Sequence, residues 1–143
     1  MFSSIRIKVI YIAALLICCA HTLSAAQSTP EDTKTLRVFI FAGQSNMVGS
    51  DSNANEIDDF ASFIGTGDEQ AKVRYSYAIG REIMRLSNGW STLQPVNNVV
   101  GPELSFGKVV SEQIKAPIAI IKCASGGTTL GGDWNPDDPS GFK

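Results

Sequence analysis

Apolar positions fall in five groups along the chain. Residues 9–20, VIYIAALLICCA, are uniformly apolar and follow a short segment holding Arg6 and Lys8 and no acid. Small and polar residues come next, with Ser24-Ala25-Ala26. This layout predicts a secretory signal peptide, residues 1–26, cut after Ala26. Its apolar core is too short for a confident membrane span. Residues 27–35 are polar, include Pro30 and read as a linker. Val38-Phe39-Ile40-Phe41-Ala42 is the second group, a continuous apolar run that predicts a buried parallel strand before Gly43. A polar, glycine-containing stretch fills residues 51–70, with Phe60, Phe63 and Ile64 expected to pin it to the body. Long irregular loops of this kind often border a site. Residues 72–79 alternate in part and predict a strand. Residues 80–86 extend it or form a helical turn, Ser87-Asn88-Gly89 is a turn signal, and residues 90–96 read as loop. Pro102-Glu103 opens a helix. Leu104, Phe106, Val109, Val110 and Ile114 then recur at helical spacing, and Pro117 stops it. Residues 118–123, IAIIKC, are a second buried strand leading into Ala124-Ser125-Gly126-Gly127. Strand, helix and strand together give a βαβ pattern. Its two strands would end in glycine-bearing loops on one sheet edge, where ligand groups of parallel sheets sit.

Removal of residues 1–26 changes the charge balance. It takes away two cations and no acid, so the formal charge of −2 becomes −4. A mildly acidic exported chain has no electrostatic case for nucleic acid, or for an anionic membrane surface after cleavage. Cys18, Cys19 and His21 leave too. A lipid-bearing Cys18 or Cys19 is disfavoured, because Ile17 and Cys18 precede them where a small residue is wanted. Cys123 then has no internal disulfide partner and reads as a buried small hydrophobe. No histidine remains after residue 21. The length from residue 27 onward suits one domain.

Ser45 stands two residues past Gly43, where a nucleophile would be presented. Asn46, Met47 and Val48 can open a helix whose N–H groups face it. The competing reading makes Ser45 a helix cap. A serine nucleophile needs a base and an oxyanion hole. The Ser45 N–H is one candidate donor and the Gly126 N–H another, since glycine admits close approach. The GQSNMVGS segment lacks the lysine and glycine spacing of a phosphate loop. The acids of residues 51–70 lack the alternation and terminal Glu of a calcium loop, so no metal site is expected.

Three blocks carry a family resemblance: Gly43-Gln44-Ser45-Asn46-Met47; Gly101-Pro102-Glu103 ahead of Ser105-Phe106-Gly107; and Gly126-Gly127-Thr128. In this order they resemble the sialate O-acetylesterase domain, also called carbohydrate esterase family six, among the SGNH (GDSL-like) hydrolases. Gly89-Trp90 with Leu93 and Pro95 is similar as well. The resemblance spans about residues 36–134. It implies an α/β fold of three layers, α/β/α with a parallel sheet, and a secreted or periplasmic serine esterase that removes O-acetyl groups from carbohydrates of sialate or xylan type, without a cofactor. By resemblance Ser45 is the nucleophile and Gly126 the oxyanion donor, with Gly127 the second choice for that donor. Gln44, Asn46, Glu103, Gly127 and Thr128 are candidate substrate-binding residues. Family members continue with a Trp-x-Gln-Gly-Glu stretch and an Asp-x-x-His block, and neither occurs here. Residues 36–143 are therefore expected to be the N-terminal part of such a domain, inactive alone. The alternative is a non-catalytic secreted protein that keeps the groove to bind sugar.

Overall fold

The computed structural model describes residues 34–141; the expected signal peptide and most of the linker lie outside them. The strands are β1 (Arg37–Gly43), β2 (Gln70–Gly80), β3 (Arg85–Leu86), β4 (Ser91–Leu93) and β5 (Ile118–Ser125). Helix α1 (Ser45–Val48) is one turn, and α2 (Pro102–Gln113) is the longest helix described. Two 3₁₀ segments, Ala54–Asp59 and Ala61–Phe63, occupy the long polar stretch.

The expected βαβ unit forms. β1 and β5 pair in parallel with Gly43 opposite Ala124, and β2 pairs in parallel with the other side of β5. β3 and β4 both run antiparallel to β2. β5 is therefore the central parallel strand, and β1 lies at the edge. Residues 80–86 form no helical turn: β2 ends at Gly80, and a bend returns the chain as the antiparallel strand β3. The stretch read as loop contains β4, whose Leu93 is fully buried.

Packing follows the two-residue alternation of the strands. Val73 and Tyr75 of β2, Ile118 and Ile120 of β5, Leu93 and Leu104 form the main core. Phe39 and Phe41 point to the same side and meet Phe106 of α2 edge-on, at centroid distances of 4.8 and 5.2 Å. Such pairs add about 0.5–1.5 kcal/mol each beyond area burial. Gly107 lets α2 approach, because a Cβ there would overlap the Leu93 side chain.

The opposite sheet face is open among the described residues. Val38, Ile40 and Ile121 are exposed on it, Ile40 at 74 %. This corrects two expectations. β1 is a half-exposed edge strand, because only β5 pairs with it and only one face is covered. Cys123, on the same open face, is exposed rather than buried. The α/β class holds, with a mostly parallel mixed sheet, and helices of the expected three layers cover one face within residues 34–141. Phe60, Phe63 and Ile64 are exposed too; the buried anchors of their segment are Ile57 and Thr66.

Candidate active site

The register of β1 on β5 builds the site. Ser45 lies two residues past Gly43, and Gly126 lies two past its partner Ala124. Both glycine-bearing turns thus leave the same edge of the sheet.

Ser45 is the first residue of α1, and Gln44 occupies the cap position without a side-chain cap hydrogen bond. The Ser45 hydroxyl lies 3.4 Å from Gln44 Oε1, a long contact. Its carbonyl, by contrast, accepts from Gly49 N at 2.9 Å and Ser50 N at 3.2 Å. The side chain is thus not the cap of α1, and the turn is held by its backbone. Gly49 closes that turn at φ 88°, a left-handed conformation where a Cβ would also overlap Val100 O. One turn gives only a small helix dipole, so the local N–H groups matter more than the macrodipole here.

Gln44 and Asn46 are exposed beside Ser45. Asn46 lines a cleft of about 470 Å³ together with Glu56, Phe60, Phe63, Pro102 and Ser105. Asp51 also lines it. The exposed rings of Phe60 and Phe63 stand 6.5 Å apart in this wall.

Glu103 sits elsewhere than the resemblance implies. It is 3 % exposed, and both carboxylate oxygens accept from Lys122 Nζ at 2.8 Å. Lys122, 1 % exposed, also donates to Val48 O at 3.2 Å. Tyr75 Oη donates to Glu103 Oε1 at 3.4 Å. Desolvation pushes the Lys122 ammonium below its ordinary pKa, against the pull of Glu103. Burial first, and the Glu103 charge second, push the Tyr75 phenol above its usual range. The pair therefore joins β5, α2 and the end of the Ser45 turn inside the core. Gly101 leaves room for it, since a Cβ there would overlap both charged groups.

The second turn is equally constrained. Thr128 Oγ1 donates to Ser125 O at 2.8 Å and accepts from Trp134 Nε1 at 2.8 Å. Arg81 Nη1 donates to Gly126 O at 2.9 Å and Gly127 O at 2.7 Å. Gly127 has φ 68°, and a Cβ on it would overlap Arg81. Gly126 differs: a Cβ there would meet nothing within 4 Å. Asp133 Oδ2 accepts from Thr129 N at 2.8 Å, and that hydrogen bond keeps its carboxyl below the usual range.

Ser45, Gln44 and Asn46 therefore share one turn, and Gly126, Gly127 and Thr128 the other. Thr128 is buried, with its hydroxyl committed to the loop backbone. Sequence reasoning passed over Lys122 and Arg81. A lysine inside the apolar run IAIIKC was a usable signal, because a buried cation demands a counter-charge. Arg81 carried none. Among the described residues no three His, Cys, Asp or Glu side chains group as a metal site.

An α/β sheet with two glycine-bearing turns at the carboxyl edge of its parallel strands defines the class. The model of the family described as carbohydrate esterase, sialic acid-specific acetylesterase, matches residues 35–143. The chain belongs to that family, and its activity class is carbohydrate esterase. No curated protein and no solved structure matched the chain.

Proposed function

We propose that this chain carries the nucleophile and one oxyanion donor of a serine esterase that removes acetyl groups from an O-acetylated sugar. Family membership supports the acetylated carbohydrate. One observation carries the site reading: Ser45 and Gly126 follow directly paired strand ends, the Ser45 hydroxyl makes only a long contact, and the space beside Gly126 is open. The Ser45 hydroxyl would attack the acetyl carbonyl, forming an acetyl-enzyme and releasing the sugar hydroxyl. Water would then free acetate. The developing oxyanion would be held by backbone N–H groups, Gly126 foremost. The cleft beside Asn46 has aromatic walls suited to a sugar face and polar groups suited to its hydroxyls.

No histidine occurs among the described residues. Lys122 is committed to Glu103, so it is not a free general base for Ser45. Acetate release by the 143-residue polypeptide alone is expected to be slow, by the 10²–10⁴-fold, roughly, that a general base supplies. Imidazole supplied in solution should raise it. Ser45→Ala should remove that imidazole-dependent release from an O-acetylated sialoside or xylooligosaccharide. Unfolding free energy should stay within about 1 kcal/mol, since Ser45 is not the cap. Equal release by both proteins would overturn the nucleophile assignment.

Export is part of the same proposal, supported by the charged start, the apolar core and Ser24-Ala25-Ala26. N-terminal sequencing of the exported protein is expected to begin near Gln27, with residues 27–35 as linker and 36–143 as esterase-domain sequence. Recovery only of an intact Met1 form from the cytoplasm contradicts this.

A further inference from the structure

In the turn after β5 three consecutive peptide carbonyls are held by side chains, one from the turn itself and one from beyond β2. Ser125 O accepts from Thr128 Oγ1 at 2.8 Å, and Gly126 O and Gly127 O accept from Arg81 Nη1 at 2.9 and 2.7 Å. Each carbonyl shares a planar unit with the next N–H, and no peptide bond in the described residues is cis. In a trans peptide the C=O and N–H point in opposite directions. Fixing Ser125 O therefore fixes the Gly126 N–H, and Arg81 does the same for the Gly127 and Thr128 N–H groups.

The direction of the Thr128 hydroxyl is itself set. Indole Nε1 can only donate, so its 2.8 Å contact makes Thr128 Oγ1 the acceptor there. The hydroxyl proton is then left for Ser125 O. Trp134, Thr128 and the Ser125–Gly126 peptide form a donor chain, in which each bond polarises the next. Thr128 is 9 % exposed, and Ser125 is 3 % exposed, so both bonds are shielded from water. The Gly126 N–H is directed away from that buried hydroxyl, in a loop that is open where a Gly126 side chain would stand.

We propose that Thr128, oriented by Trp134, is the positioning residue that aims the Gly126 N–H, while Arg81 locks the two peptides that follow. This rests on the reading of Gly126 as oxyanion donor. It replaces a substrate contact by Thr128 with a contact to the loop's own backbone. A donor that is already aimed costs no reorganisation as charge develops on the carbonyl oxygen.

The test uses the full ¹⁵N-labelled chain with Thr128→Val and Thr128→Ser. Val keeps the shape and loses the proton; Ser keeps the proton. Thr128→Val is expected to change the Gly126 N–H residual dipolar coupling and to lower its order parameter from about 0.85 toward 0.6. Thr128→Ser should restore both, with β1, β5 and α2 unchanged throughout. Imidazole-dependent turnover should fall in kcat, by at most the 10²–10³-fold, roughly, of a lost oxyanion donor, with KM little changed. Arg81→Met is the second variant, expected to loosen the Gly127 and Thr128 N–H groups while Gly126 stays fixed. The proposal is overturned if Gly126 keeps its coupling and order in Thr128→Val, or if the change spreads evenly over the sheet. Should Thr128→Val fail to fold, Arg81→Met decides, and movement of Gly126 with its neighbours counts against separate control. Should the parent chain release no acetate even with imidazole, the proposed imidazole-assisted esterase reading fails, and the dipolar couplings still decide who aims the peptide.

Discussion

Lys122→Met is expected to lower the unfolding free energy by about 3–5 kcal/mol, the usual loss when one member of a buried ion pair is removed. Glu103 would keep a carboxylate at 3 % exposure, with Tyr75 as its remaining described hydrogen-bond partner. Val48 O would lose its contact as well, at the end of the Ser45 turn. Against a total stability of roughly 5–15 kcal/mol, that is a large share. The double variant Lys122→Met with Glu103→Leu should recover most of the loss, because no uncompensated charge is left behind. Replacing both members of such a pair by apolar groups is often neutral or better. Urea unfolding of the two singles and the double forms a cycle, and a coupling of 0.5–3 kcal/mol or more, roughly, marks directly interacting groups. If the double variant is as unstable as the sum of the singles, the pair is not the unit described.

How far the sequence revealed this arrangement depended on whether one element's pattern was enough. α2 was legible at both ends, because Pro102 and Pro117 bracket a run with apolar residues at helical spacing. β5 was legible because its continuous apolar, β-branched run reads as a buried strand by itself. The placement of the two glycine-bearing turns on one edge followed from the two strands being parallel, which brings their carboxyl ends together. Position within the sheet was not legible in the same way. Val38-Phe39-Ile40-Phe41-Ala42 looks like a central strand, yet β1 has one neighbour and an open face. A run of apolar residues reports tolerance of burial, and the neighbours decide whether burial occurs. Cys123 fell to the same ambiguity, since it shares that face. β4 was missed because three residues carry too little alternation to separate strand from loop; its Leu93 is buried through pairing with β2.

The candidate site divides along the same line. The meeting of Ser45 and Gly126 at one sheet edge was readable, because each lies just past the end of an apolar strand run in the sequence. Glu103 and Thr128 were readable as polar residues near that edge, and their roles were not. Whether a carboxylate meets substrate or a buried lysine depends on Lys122, nineteen positions away. Whether a threonine meets a sugar or a carbonyl depends on Trp134 and the turn geometry. Local sequence does not encode those distances.

Gly126→Val and Gly127→Ala are expected to separate two reasons for having glycine in this turn. Gly127 is glycine for the fold: φ is 68°, and Arg81 occupies the space a Cβ would need. Alanine there should cost about 1–3 kcal/mol in strain and displace the guanidinium from its two carbonyls. Gly126 has neither a positive φ nor a neighbour within 4 Å of a would-be Cβ. Valine should therefore leave unfolding free energy within about 0.5 kcal/mol of the parent, as for an ordinary surface substitution. Its branched side chain would instead stand where an acetyl group approaches the N–H. Substitution does not remove the donor, but it denies the oxyanion access to it. Imidazole-dependent acetate release should then drop by roughly 10²–10³-fold, comparable with loss of the donor itself. Urea unfolding and acetate release on the same preparations give both readouts. Gly126→Val with full release would mean that no acetyl group comes to that side of the turn, and the oxyanion role would then have to be sought at Gly127, whose N–H Arg81 already holds in place.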